Sequence, residues 1–245
     1  MGRTYKTEAV VLRSIRYAEA DRILHLYTAD RGRVGAIAKG VRRTKSRFGG
    51  RLEPLGHAEL LLHQGSGELH TVTGVELVRS HHAVREDPYR LAVGLVGAEA
   101  MLRLFTEQEA NERAFRALTR FLDLLDEAPA SRRPELDPLG LSFQLKLLWL
   151  SGYQPHLESC AGCGSEGVPA GYSARAGGVV CGACSAGASA LSADGLAGLD
   201  ALLRSPLADS WSIGLTPRGA RDVLGVITSS YEEHGGFRLR TLRAG

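Results

Sequence analysis

The sequence predicts a multidomain α+β chain: a five-stranded β-barrel at the N-terminal end, then an α-helical domain carrying a small cysteine-rich insertion. Three observations carry that prediction. Short aliphatic and β-branched runs separated by turn residues occupy the first third of the chain. Beyond it the apolar spacing becomes helical, with proline repeatedly placed just behind a capping residue. All four cysteines then fall between positions 160 and 184. The 245 residues allow one large domain or two small ones. The division expected here is 1–80 for the barrel and 81–245 for the helical domain, with 157–188 inserted in the latter.

Residues 8–16 (EAVVLRSIR) and 22–28 (RILHLYT) read as strands, and the turn at 30–32 leads into a third over 34–38. Two more, 58–63 (AELLLH) and 68–78 (ELHTVTGVELV), flank the turn residues at 64–67. In the last of these, Leu69, Thr71, Thr73, Val75 and Leu77 are expected to share one face. Five short strands with a polar excursion between the third and fourth fit a small barrel such as the OB-fold. That fold binds oligonucleotides through a strand face and loops. Strand count alone leaves an SH3-like barrel open.

The polar excursion, KGVRRTKSRFGGR at 39–51, holds Lys39, Arg42, Arg43, Lys45, Arg47 and Arg51 and no acidic residue. Burying unpaired charges costs several kcal/mol each, so the stretch must face solvent or a polyanion. Its serine, threonine and glycines suit a flexible arm that follows a phosphate backbone. The surroundings agree. Residues 1–80 carry 14 Lys and Arg against 8 Asp and Glu, and the remainder carries 16 against 19, so a basic module is joined to a slightly acidic body.

In the second part, Asp87-Pro88, Asp137-Pro138 and Thr216-Pro217 each set a capping side chain before proline at the first helical position. Stripes at Leu91, Leu95, Ala98, Leu102 and Phe105, and at Phe115, Leu118, Leu122 and Leu125, predict two helices, the second without an evident cap. Residues 139–150 are apolar nearly all round, interrupted by Ser142, Gln144 and Lys146, and predict a central buried helix. Further helices are expected behind Ser192 and before Gly235 and Gly236. Residues 128–133 read as a linker, His81 and His82 as a surface junction, and the basic segment 237–243 as a solvated tail.

Cys160, Cys163, Cys181 and Cys184 form two CxxC knuckles separated by 17 residues, the spacing of a zinc ribbon or related finger. Four thiolates complete a tetrahedron and leave no open position, so one structural Zn2+ is expected and no metal catalysis. His156 reads as a bystander. The run Gly162, Gly164, Gly167 spells GxGxxG but follows no strand of a βαβ unit, and no P-loop, HExxH or GxSxG occurs. No catalytic residue is nominated. There is no apolar run long enough to span a membrane, and MGRTYKTEAVV lacks a signal-peptide core, so a cytoplasmic place is expected.

Taken together, TEAVVLRSIRYAEADRILHLYT at 7–28, RGRVGAIAKGVRRTKSRFGGRLEPL at 31–55 with its AKG followed by RRxKSR, and GELHTVTGVELV at 67–78 resemble the RecO family of bacterial recombination mediators. The double CxxC and the closing helix come in that family's order. The resemblance implies an N-terminal OB-fold, a C-terminal helical domain and an inserted zinc finger, without catalysis. It implies binding to single-stranded and double-stranded DNA, strand annealing, and cooperation with RecR to load RecA on DNA coated by single-strand-binding protein, whose acidic, apolar tail the helical domain recognises. It assigns DNA contact to the six cations of 39–51, metal binding to the four cysteines, and a nucleoid-associated location.

Aromatic side chains that stack under bases are scarce in the first part. Tyr5, Tyr17 and Tyr27 read as core, and Phe48 either stacks or anchors the arm. Contact is therefore expected to be mainly with phosphates. An RNA-binding OB-fold protein and a zinc-containing adaptor between proteins are the rival readings.

Overall fold

The computed structural model describes residues 2–107, 109–128 and 133–241. Positions 129–132 of the expected linker and 242–243 of the expected tail lie outside them. The chain forms two compact units, Met1–Ala128 and Pro129–Gly245.

In the first unit, β1 (Arg3–Tyr17), β2 (Asp21–Thr28), β3 (Gly32–Ala38), β4 (His57–Gln64) and β5 (His70–Arg79) close into a barrel in the order β1-β2-β3-β5-β4. Neighbours are antiparallel except β3 and β5, which run parallel. A simple meander cannot produce that order; it is the OB-fold arrangement. Alternate residues point inward, so Ala9, Val11, Leu24, Leu26, Ala36 and Leu60 meet at the barrel centre.

Of three register shifts in the barrel, one lies at its edge between His57 and Ala58, and two break this alternation within the strands. One falls between Val11 and Arg13. The other skips Thr73, since Leu62 pairs with Val72 but Leu61 with Gly74. Consequently His70 and Val72 point inward, Val75 takes the next inward place, and Leu69 and Leu77 are exposed. The single face expected for Leu69, Thr71, Thr73, Val75 and Leu77 is thus broken at the bulge.

Helices α1 (His82–Glu86), α2 (Pro88–Leu104) and α3 (Glu112–Glu127) belong to the same compact unit as the barrel. Val10 and Tyr27 are fully buried although they point out of the barrel, because helical side chains cover them. The Phe105 ring meets Tyr27 edge to face at 5.5 Å, and α2 packs on β1. Gly94 of α2 passes so close to the barrel that a Cβ there would lie 2.7 Å from Leu55. Arg33 of β3 donates to the carbonyls of Leu102 and Phe105, and so holds the C-terminal end of α2, where cations are favoured. Asp87 caps α2, as expected, by accepting from the Arg90 amide at 3.0 Å. The helix expected to lack a cap has one: Asn111 accepts from the Ala114 amide at 3.0 Å. His81 is buried and not at a surface junction. Its Nδ1 lies 2.8 Å from the Leu55 carbonyl and its Nε2 3.1 Å from Asp123; His82 alone is exposed.

In the second unit α4 (Pro138–Leu150) is the central buried helix, packed by α5 (Ala193–Arg204) and α6 (Pro217–Gly235). Asp137, Ser192 and Thr216 cap the three as anticipated. Of the polar interruptions of α4, Gln144 accepts at Oε1 from Tyr231 and Lys146 donates to the last turn of α5 at Leu203, whereas Ser142 Oγ and Gln144 Nε2 are buried without a partner among the described residues. Residues 237–241 are not a solvated tail. Phe237 and Leu239 are buried, the Phe237 ring stacks on Tyr231 at 5.1 Å, and Arg238 pairs with Glu232.

Candidate nucleic-acid interface and metal centre

The basic stretch leaves β3 and returns to β4 as a folded strap, tied down where the sequence suggested a free arm. Gly40 turns it with φ +66°, its amide donating to Asp21 at 2.7 Å. Arg42 then reaches the β1–β2 turn, its amide donating to the Ala20 carbonyl at 2.9 Å and its guanidinium to the Glu19 carbonyl at 3.0 Å. Two backbone turns follow, Arg43 to Gly40 and Ser46 to Arg43. Phe48 and Leu52 enter the barrel core, Phe48 at 1% exposure. That excludes Phe48 as a stacking residue and makes it the anchor. Arg51 locks the end of the strap by donating to the carbonyls of Phe48, Arg47 and Val75.

With both ends pinned, Lys39, Arg42, Arg43, Lys45, Arg47 and Arg51 all stand exposed. None is ion-paired with a carboxylate among the described residues, whereas Arg22, Arg33 and Arg79 elsewhere in the unit have Glu53, Glu107 and Asp123. The guanidinium of Arg47 lies over the Phe48 ring at 4.8 Å. The result is a fixed patch of uncompensated positive charge on one edge of the barrel.

The tyrosines divide. Tyr27 is buried, and burial pushes its phenol well up. Tyr5 is half-buried, bonded to His70 Nδ1 at 2.6 Å with Arg31 stacked over it. Tyr17, expected in the core, is 52% exposed at the end of β1, because the bulge after Val11 turns the last stretch of that strand's odd-numbered residues outward.

In the second unit the four cysteines converge. Their Sγ atoms all lie within 4.8 Å of one another, Cys163 and Cys181 at 3.8 Å. A tetrahedral ion with sulfur at about 2.3 Å needs edges of about 3.8 Å, so the donor set fits a metal. Two short strands, β6 (Gly171–Ser173) and β7 (Gly178–Val180), frame the knuckles. Gly178 is required because a Cβ would fall 2.4 Å from the His156 carbonyl, and at Gly162 a Cβ would be a tight contact, 3.1 Å from Cys184 Sγ. Amide hydrogens of Cys181, Cys163 and Gly162 pull the Cys160 thiol down to about 6. The opposite happens at Cys184: hydrogen bonding to Cys163, Cys160 and Cys181 pushes it up to about 12. Without a cation the cluster must keep protons, and a bound dication would let all four ionise. His156 stays outside, its Nε2 accepting from the Ser159 amide at 3.2 Å.

Comparison with known proteins agrees with this architecture. The family model described as Recombination protein O N terminal matches residues 1–81, and Recombination protein O C terminal matches residues 85–243. The chain belongs to the RecO family. The DNA repair protein RecO of Rubrobacter xylanophilus is 42% identical over 184 residues, covering 74% of this chain and 71% of that protein. Those of Anaeromyxobacter sp. (strain K) and Frankia casuarinae are 36% and 37% identical, each covering 97% of this chain and 94% and 96% of their own length. The chain is thus a DNA repair protein of the RecO family. No helix among the described residues is long and apolar enough to cross a membrane. The two family models meet between residues 81 and 85, but compactness divides the chain after Ala128, because α1–α3 cover the outward-facing apolar residues of the barrel.

Proposed function

We propose that this chain is a non-catalytic recombination mediator that binds single-stranded and double-stranded DNA, anneals complementary strands and, with RecR, helps load RecA onto strands coated by single-strand-binding protein, in the bacterial cytoplasm at the nucleoid. In this reading 1–80 is the DNA-binding domain, 81–245 the helical domain and 157–188 the finger. The observation that carries it is the strap: six exposed cations with no carboxylate partner among the described residues, pinned to an OB barrel. Phosphates of two strands repel each other, and a strap that neutralises them while leaving base edges free lowers the barrier to pairing.

Cys160, Cys163, Cys181 and Cys184 would hold one Zn2+, whose role is to fix the finger. A cleft of about 530 Å3 in the second unit, lined by Leu136, Pro138, Leu215, Pro217 and Ala220 with Arg133 and Arg221, has the apolar and cationic character suited to the acidic tail of the coating protein.

The test is a salt titration. Six neutralised phosphates give a log–log slope of about −4 on single strands, and replacing Arg42 and Arg43 by glutamate should reduce it to about −3 and weaken every sequence alike by at least tenfold at about 0.1 M salt. A wild-type slope near zero overturns the reading.

A further inference from the structure

The end of the barrel opposite the strap is built differently. The strap joins the end of β3 to the start of β4, whereas here the first residues of β1, the β2–β3 turn, the end of β4 and the start of β5 come together. They enclose a polar pocket of about 350 Å3 lined by Asp30, Arg31, Val34, Gln64 and His70. His70 points into the barrel and is only 3% exposed. A polar ring buried so deeply needs partners for both of its nitrogens. Nδ1 has one, the Tyr5 hydroxyl at 2.6 Å. Nε2 has none among the described residues.

The atoms that still lack partners define the ligand. Burial raises the Tyr5 phenol above its usual range, so it keeps its proton and donates it to Nδ1. Burial first, and then the charge of Arg31, hold the His70 ring below the ordinary histidine value and so neutral. A neutral ring that accepts at Nδ1 carries its hydrogen on Nε2. That N–H is left for a ligand. Beside it the Arg31 guanidinium lies 4.0 Å over the Tyr5 ring, its Nε buried without a hydrogen-bond partner. The contact of that Nε with Asp30 Oδ2, at 3.8 Å, is too long for a hydrogen bond. Asp30 accepts from Thr7 at Oδ1 and has lone pairs to spare. The pocket therefore offers an imidazole N–H and a guanidinium to an oxyanion, and one carboxylate to a hydrogen that the oxyanion carries.

We propose that this pocket binds a phosphate that carries a P–OH, the free ion or a monoester, with its oxygens on Arg31 and His70 Nε2 and its hydrogen donated to Asp30. Monoesters ionise for the second time near about pH 6, so part of the population keeps that hydrogen at neutral pH. Sulfate has no such hydrogen, and neither has an internal diester of a nucleic-acid strand. Asp30 repels both. The pocket is larger than a bare phosphate and leaves room for the alcohol of an ester. It is distinct from the strap, whose cations take diesters by charge alone, and it stands or falls independently of how the strap is used.

The test reads the imidazole NMR signals of His70 in the full chain carrying isotope-labelled histidine, assigned by their loss in His70→Gln. Inorganic phosphate is added to about 10 mM at constant ionic strength. The signals should show the hydrogen on Nε2 and move with phosphate, whereas sulfate at the same ionic strength should leave them in place. Arg31→Gln should weaken the phosphate response by about tenfold or more. Tyr5→Phe keeps the ring but frees Nδ1 to take the hydrogen, and should weaken it too. Asp30→Asn, whose amide can donate, should let sulfate in. No response to phosphate overturns the proposal, as does an equal response to sulfate in the wild type. Two strands then separate the sources. A response to oligothymidylate bearing a terminal phosphate assigns the site to strand ends, and a response to inorganic phosphate alone assigns it to the free ion; both support the pocket. An equal response to the same strand ending in hydroxyls overturns it, since a diester then fills the site.

Discussion

The strap over 39–51 and the cysteine knob over 157–188 each bring several groups of like charge into a short stretch of chain, and they relieve the repulsion in opposite ways. In the strap the cations stay apart, splayed into solvent from a backbone anchored by Phe48, Leu52 and Arg51. Their counter-charge must come from outside. In the knob the sulfurs are drawn within 4.8 Å of one another, and Cys184 holds its proton up to about pH 12 because its neighbours surround it. Its counter-charge must be a cation at the centre. The strap is held in place by contacts within the protein, and the knob gathers four sulfur donors that fit one metal ion.

That contrast is broken most severely by removing metal. Structural zinc contributes on the order of 10 kcal/mol or more to small four-ligand fingers. Chelation, or Cys160→Ser, should therefore abolish amide-exchange protection across β6 and β7. The barrel amides should keep theirs, and strand affinity at the strap should not change. Loss of protection in β1–β5 on chelation would show that the two regions are not independent.

What could be read in the residues beforehand was whatever depends on local chemistry. The CxxC pairs, the Asp-Pro and Thr-Pro caps and the charge of the strap are each decided within a few positions of the chain, and each lies where expected. What escaped depends on register and on distant partners. Tyr17 was expected inside the barrel; the bulge between Val11 and Arg13 shifts the phase of β1 and turns it out. Thr73 does the same to β5. Phe48 lies in a run of cations and glycines, and only the closed barrel shows that its ring has a cavity to enter. Asn111 as a cap was legible, four residues ahead of Phe115 and followed by Glu112, and was missed because no proline accompanies it. The packing of α1–α3 with the barrel had a weaker signal, the consecutive buried run Ala9 to Leu12, where strict alternation would leave every second residue polar.

A milder perturbation separates holding from charge within the strap. Phe48→Ala removes a fully buried ring from the barrel and should cost about 3 to 4 kcal/mol of stability, read by denaturant unfolding. All six cations survive that change. The salt slope on single strands should stay near the wild-type value while affinity falls by less than about tenfold, the cost of ordering a loosened loop. A collapsed slope would mean that the spacing of the charges, and not their number, carries binding.

The smallest effects sharpen the comparison further, because they ask whether any strap cation serves the fold and the ligand at once. Arg43 makes no side-chain bond to a carbonyl or carboxylate among the described residues, so Arg43→Ala should leave stability within about 0.5 kcal/mol. It should still reduce the magnitude of the salt slope by about 0.7, one phosphate contact. Arg51 differs, for its guanidinium already donates to three backbone carbonyls. Those bonds neutralise no charge, so Arg51→Ala should lower stability by about 1 kcal/mol and lower the slope by the same 0.7. If the slope does not move, the guanidinium is committed to its staple, and the strap offers five cations to a strand instead of six.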